Sequence, residues 1–205
     1  MKNTDNNTNE SAKVETKESH EGMKVILSYL HDVVFLIAIV MILFSFCFRV
    51  VVVSGASMNT TLYNGDCLFV LGKVFYSQPK RGDIIVVSKD SFRDGDPIIK
   101  RIIATSGDVV DIRSGVVYVN DEALDEPYIN SAVTNAYDAS VNFPLVVQEG
   151  CVFALGDNRE NSTDSRSSEI GMIDEREILG KAMFLLFPGK AYNGRDFSRM
   201  GGLAN

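Results

Sequence analysis

Ile98-Ile99-Lys100-Arg101-Ile102-Ile103 reads as a β-strand with two cations in its middle. Strand alternation places Ile98, Lys100 and Ile102 on one face and Ile99, Arg101 and Ile103 on the other. A lysine between isoleucines is thereby given an apolar setting. Desolvation disfavours the ammonium form and lowers the pKa, which a lysine needs in order to act as a base near neutrality. The same pattern also suits a lysine on an edge strand, its stem lying over apolar neighbours and its amine in water.

Outward from this strand the chain continues in short β-rich segments: Cys67-Val70, Ile84-Val87, Val109-Ile112, Val116-Val119, Leu145-Val147, Val152-Leu155 and Ala182-Phe187. Turn-prone Asn-Gly, Arg-Gly-Asp, Asp-Gly-Asp, Ser-Gly-Asp and Gly-Asp-Asn separate them, so the body is predicted to be all-β. Arg113-Ser114-Gly115 joins two of the strands as a hairpin, and Asn120-Asp121 turns again. Residues 124–143 are polar and aperiodic, which makes them a long loop or part of a small accessory lobe spanning about 111–145.

Upstream the pattern is different. Val33 to Phe48 is apolar apart from Ser45. With its flanks it predicts a transmembrane helix over 24–50, long enough to cross roughly 30 Å of hydrocarbon. A cleaved signal peptide is the alternative, since Ser54-Gly55-Ala56 offers small residues for a cut, but the leading polar region is long and the apolar run exceeds a usual signal core. Residues 1–23 are mostly Asn, Thr, Glu, Lys and Ser, too polar to offset chain entropy by burial, and are expected to be a disordered cytoplasmic tail. Lys13, Lys17 and Lys24 precede the span and Arg49 follows it, which leaves 51–205 as an extracytoplasmic body.

Composition narrows the chemistry. The 205 residues carry a formal charge of -7, and the part from Arg49 is itself acidic, which argues against a nucleic-acid partner. Cys47 falls in the apolar run, leaving Cys67 and Cys151 as the one pair within the body, and neither a disulfide framework nor a zinc pattern follows from two. The two histidines, His20 and His31, lie before the apolar run and at its edge. A serine–histidine triad or a histidine metal site in the body is therefore excluded, and no metal or cofactor is expected.

Two further stretches carry reactive groups. Val53-Ser54-Gly55-Ala56-Ser57-Met58-Asn59-Thr60-Thr61-Leu62 follows the apolar run directly. A serine hydroxyl there needs a neighbouring base, which without histidine must be a carboxylate, a lysine or a tyrosine; Lys100 stands out. The second, Gly156-Asp157-Asn158-Arg159-Glu160-Asn161-Ser162-Thr163-Asp164-Ser165-Arg166, is dense in hydrogen-bonding groups behind the apolar strand Val152-Phe153-Ala154-Leu155. It reads either as a surface loop with an exposed Asp164–Arg166 pair of little energetic worth, or as a loop whose hydroxyl orients the lysine.

Together these stretches resemble the type I signal peptidases, membrane-anchored serine–lysine proteases that remove signal peptides from exported proteins. Ser54-Gly55-Ala56-Ser57-Met58 is similar to the family's nucleophile box, and Gly65-Asp66 with Arg81-Gly82-Asp83-Ile84 to the next. Lys100-Arg101-Ile102-Ile103 with Gly107-Asp108 resembles the lysine box, and Gly156-Asp157-Asn158-Arg159 with Ser162, Asp164, Ser165 and Arg166 the last. The resemblance implies an antiparallel β-sandwich-like catalytic core with a small inserted lobe behind one transmembrane helix. It makes Ser57 the nucleophile, Lys100 the general base and Ser162 the lysine's hydrogen-bond partner, with Asp157, Asn158, Arg159, Asp164 and Arg166 supporting the loop. It further implies a substrate strand added near Val51-Val53 and Ile98-Lys100, with Val51, Val53, Met58, Leu62 and Ile99 lining pockets for small side chains. The implied partners are signal peptides of preproteins and the lipid bilayer of the cell membrane, with the export machinery as a further candidate.

The chain departs from the family pattern at three positions. Thr60 and Ser106 stand where relatives usually have proline, which removes a preset φ from two turns. Gly55 stands where some members carry a serine that donates to the oxyanion, leaving the Ser57 backbone N–H and an unassigned second donor. An anchored pseudo-peptidase that binds signal peptides without cutting them, and a self-cleaving regulator of related fold, are the competing readings. The former has no need of the retained serine, lysine and Ser162 loop. The latter is usually joined to a DNA-binding partner, which an anchored acidic chain does not suit. The histidine-dependent signal peptidase of the endoplasmic reticulum lacks its base here.

Overall fold

The computed structural model describes residues 5–203 apart from 130, 132, 137, 139 and 191–193; residues 1–4 of the expected tail lie outside the described residues. The chain divides between Phe46 and Cys47 into two units. The first is formed by α1 (Asp5–Cys47), whose 26-residue stretch Gly22–Cys47 includes an 18-residue window with a mean hydropathy of 2.5. At 1.5 Å per residue the stretch is roughly 39 Å, long and apolar enough to cross a membrane. Two boundaries differ from expectation. Asp5–Met23, read as disordered tail, is helical, because a helix propagates from an existing segment at far lower cost than it nucleates. Phe48, Arg49 and Val50, read as the end of the span, belong to a strand, because they lead into the β-branched Val50-Val51-Val52 and pair in register with Cys67–Leu71.

The second unit is built from two antiparallel sheets. The strands are β1 (Phe48–Val52), β2 (Cys67–Gly72), β3 (Ile84–Val87), β4 (Ile98–Thr105), β5 (Val109–Arg113), β6 (Val116–Val119), β7 (Glu122–Ala123), β8 (Leu145–Val146), β9 (Cys151–Leu155), β10 (Ile173–Asp174), β11 (Ile178–Phe187) and β12 (Gly201–Gly202). The larger sheet runs β1-β2-β11-β3-β4-β9-β10 with β12 beside β11, and the smaller runs β7-β6-β5-β8. The body is thus mostly β, as the sequence predicts, and the smaller sheet is the inserted lobe. Every strand read from sequence is present. The short β7, β10 and β12 and the edge strand β1 carry too few apolar residues, or lie too near the span, to stand out.

β4 is central to the larger sheet, hydrogen-bonded to β3 on one side and β9 on the other. Its alternation holds. Ile98 and Ile102 pack with Ile85, Val87, Val152 and Ile173, whereas Ile99 packs with Val53, Met58, Leu62, Leu68 and Val70. Beyond the register shift between Ile102 and Ala104, Ile103 joins Val110, Val117, Phe153 and Leu155 under the lobe. The hairpin from β5 to β6 turns on Ser114 (φ 50°) and Gly115 (φ 84°), the twist that a two-residue connection requires.

Candidate active site

Ser57 sits in the loop that leaves β1. Val53 N–H donates to the Asp66 carbonyl, and Gly65 N–H donates to the Val53 carbonyl, each at 2.8 Å, so the loop closes on itself. A helical turn with Leu62 N–H bonded to the Met58 carbonyl at 2.8 Å drives both side chains into the core. The turn is stapled from outside by Asn158, whose backbone N–H donates to the Ser57 carbonyl and whose Nδ2 donates to the Ala56 carbonyl, both at 3.0 Å. The Asn59–Thr60 peptide, at one of the missing prolines, is cis. Gly55 (φ 96°) gives its N–H to Asn64 Oδ1 at 3.0 Å.

Lys100 reaches this loop across the sheet. Its Nζ donates to Ser57 Oγ at 2.9 Å, and the residue is only 3% exposed. The lysine is therefore on an interior strand and not on an edge, and the reading of a solvated surface amine is set aside. Its neighbour Arg101 points to the opposite face, where Nε and Nη2 grip Asp157 at 2.9 and 2.8 Å and Nη1 donates to the Gly82 carbonyl at 3.0 Å. Asp157 also accepts from Thr61 Oγ1 at 2.6 Å. One buried carboxylate thus ties the strand carrying Lys100 to the loop carrying Ser57.

Most of the third stretch is buried, and only Glu160 and Asn161 within it are exposed. Arg166 and Asp164 are each 1% exposed and form a two-pronged pair, with Nε and Nη2 each 2.8 Å from a carboxylate oxygen. Gly156 N–H donates to Asp164 at 3.1 Å, and Arg166 Nη2 caps the Arg159 carbonyl at 2.9 Å. Such a desolvated pair is held by its extra hydrogen bonds and breaks at a high cost. Ser162 is brought into the same cleft, 3% exposed, with its Oγ lacking a hydrogen-bond partner among the described residues. The bond to the lysine implied by the resemblance is not made in this geometry.

A cleft of about 570 Å³ opens over these groups. Val51 and Ile99 line it with Ser57, Lys100 and Ser162, whereas Val53, Met58 and Leu62 pack in the core behind it. Phe92, Asp96 and Pro97, from the connection between β3 and β4, also line the cleft, together with Val52, Ala56, Asn161 and Thr163. Sequence reading missed them. A connection rich in Asp and Gly carries no signal of which groove it borders. Cys67 and Cys151, whose bridging the sequence leaves open, are free, as is Cys47.

Other buried polar clusters lie away from the cleft. Asp83 takes the Tyr76 hydroxyl at 2.6 Å and Lys181 Nζ at 2.5 Å, and burial, followed by this hydrogen bond to a carboxylate, pushes the Tyr76 phenol far above its ordinary range. Asp66 accepts from Gly189 N–H and from Arg199, tying the C-terminal segment to the loop after Ser57.

A serine hydroxyl beside a buried lysine in an open cleft brings together a nucleophile and a group able to act as its base, the pairing that covalent hydrolytic catalysis requires. The family model described as signal peptidase, peptidase S26, matches residues 26–187. Signal peptidase I of Bacillus licheniformis is 32% identical over 173 residues, covering 80% of this chain and 89% of that protein. Signal peptidase I T of Bacillus subtilis (strain 168) is 33% identical over 188 residues, covering 89% and 92%. A crystal structure of a signal peptidase I from Enterococcus faecalis V583 is 32% identical, with a TM-score of 0.43, over 51% of this chain and 97% of that one. The chain belongs to the signal peptidase, peptidase S26, family.

Proposed function

We propose that this protein is a membrane-anchored serine endopeptidase that removes signal peptides from exported preproteins, with Ser57 as nucleophile and Lys100 as general base. The observation that carries this reading is the 2.9 Å contact between Lys100 Nζ and Ser57 Oγ in a cleft of about 570 Å³ that both residues line. The mechanism runs through the neutral amine of Lys100 as proton acceptor, a form that burial at 3% exposure favours over the ammonium. As Ser57 Oγ attacks the scissile carbonyl, its proton passes to Nζ and the carbonyl π electrons move to oxygen, where the Ser57 N–H supplies one stabilising donor. Collapse breaks the C–N bond, and the ammonium gives its proton to the departing amine. Water, deprotonated by the same Nζ, then attacks the acyl ester, and the returning proton restores Ser57.

The substrate lies as an added strand between Val51-Val53 and Ile98-Lys100, with Val51 and Ile99 against its side chains. Ser162 Oγ, buried and unpartnered in the same cleft, is positioned for the lysine amine or the attacking water. Asp157, Asn158, Arg159, Asp164 and Arg166 hold the two loops in register. α1 is the anchor, with its N-terminal end cytoplasmic and the body from 51 onward outside the cell membrane, following the lysines before the span.

Full-length protein in detergent, assayed on a preprotein, is expected to lose at least roughly 10²-fold in turnover on Ser57→Ala or Lys100→Ala. A serine-reactive covalent inhibitor should label wild type at Ser57. Normal processing by either variant would end the mechanism, and absence of labelling in the wild type would favour a non-catalytic signal-peptide binder.

A further inference from the structure

Behind the cleft, the inserted lobe sends one stretch back to the loop that holds the dyad. Glu126 binds both terminal nitrogens of Arg159 and accepts the Tyr128 hydroxyl at 3.0 Å. Arg159 Nε in turn donates to the Gly156 carbonyl at 3.1 Å. Tyr128 lays its ring on Arg101, whose Cζ is 4.0 Å from the ring centroid, and Arg101 holds Asp157 with two hydrogen bonds. The contacts close a circuit from Glu126 through Arg159, the Gly156-Asp157 backbone, Arg101 and Tyr128 back to Glu126. Both reacting groups hang from it: Lys100 directly precedes Arg101 in β4, and Asp157 fixes Thr61 on the Ser57 loop at 2.6 Å. Thr134 from the same stretch adds an acceptor for Arg159 at 2.8 Å.

We propose that Glu126 and Tyr128 are positioning residues, which set the Ser57–Lys100 geometry from the inserted lobe; this rests on the serine–lysine reading above. The Tyr128 ring covers one face of the Arg101 guanidinium and keeps water from the Arg101–Asp157 pair, so β4 is held from the side opposite Lys100. Glu126 neutralises Arg159 and orients the Tyr128 hydroxyl, which fixes the ring in place. The lobe is then part of the catalytic apparatus, although none of its side chains lines the cleft among the described residues.

The test is preprotein cleavage by the full chain in detergent, with kcat and KM expressed per serine labelled by the covalent inhibitor, so that misfolded protein is not counted. Tyr128→Leu is expected to lose about 10-fold or more in kcat with KM within about twofold of wild type. Tyr128→Phe, which keeps the ring on Arg101, should remain within about threefold of wild type. Glu126→Gln should lower kcat with KM held, and it carries the test if Tyr128→Leu does not fold. The proposal is overturned if Tyr128→Leu and Glu126→Gln match wild type per labelled serine, if the loss lies in KM, or if Tyr128→Phe is as impaired as Tyr128→Leu. Ser57→Ala run alongside separates the two levels. Activity in that variant sinks the dyad itself, whereas an inactive Ser57→Ala beside an unimpaired Tyr128→Leu sinks only the positioning role.

Discussion

Gly156 shows how little room the dyad leaves. A Cβ built on it would lie 2.2 Å from Ser162 Oγ and 2.5 Å from the Ser57 carbonyl oxygen, and the second of these is backbone held by Asn158. Gly156→Ala must therefore push the nucleophile turn away from β4. We expect a loss of about 10²-fold in kcat, since a displacement on the order of 1 Å costs that much, with a lowered midpoint in thermal unfolding. Wild-type turnover in this variant would show that the turn is not held as tightly as its contacts indicate. At the same scale, the proposed pair was readable from the chain: a body without histidine, a serine after an apolar span and a lysine between isoleucines leave few other candidates, and the structure brings Ser57 Oγ and Lys100 Nζ to 2.9 Å. The burial of Asp164 and Arg166 was not legible, because the same letters form an exposed turn wherever no lobe covers them.

Among elements, the turn from β4 to β5 carries a pH signature. Asp108 accepts from Thr105 N–H at 2.9 Å, from Thr105 Oγ1 at 3.2 Å and from Asn120 Nδ2 at 2.7 Å. Partial burial works against its charge, but these bonds, led by the Thr105 backbone, outweigh it and hold the carboxyl below the ordinary carboxylate range. The unfolded chain then binds the proton first as pH falls, so the stabilisation is complete above the unfolded pKa near about 4 and is lost as pH drops through the lower folded value. Asp108→Asn is expected to lower unfolding free energy by about 1 kcal/mol at neutral pH, with the gap to wild type closing below about pH 4 in denaturant titrations. A gap independent of pH would rule out the carboxylate as its source. β1 teaches a related lesson about elements: Phe48 and Val50 continue the apolar character of the span on either side of Arg49, and pairing with β2 makes the segment a strand.

For the whole molecule, the separation at Phe46/Cys47 and the three buried clusters of the body predict that residues 47–205 fold without α1. Such a fragment should give a β-type far-UV spectrum, a cooperative thermal transition and cleavage of a signal peptide presented in detergent micelles. A fragment without a cooperative transition would mean that the helix contributes to folding of the body. Sequence alone determined the class of the fold, the single apolar span and the chemical types at the site, because periodicity, length and the supply of titratable side chains are local properties of a chain. It also carried the resemblance that ordered them. Only the tertiary structure decided that β4 is an interior strand, that Val53, Met58 and Leu62 are core while Phe92 and Asp96 border the cleft, and that Glu126 and Tyr128 reach back to Arg159 and Arg101. Each of these depends on which distant segments the sheet brings side by side. Burial and hydrogen-bond partnership across tens of residues follow from that pairing and leave no periodic mark in the sequence.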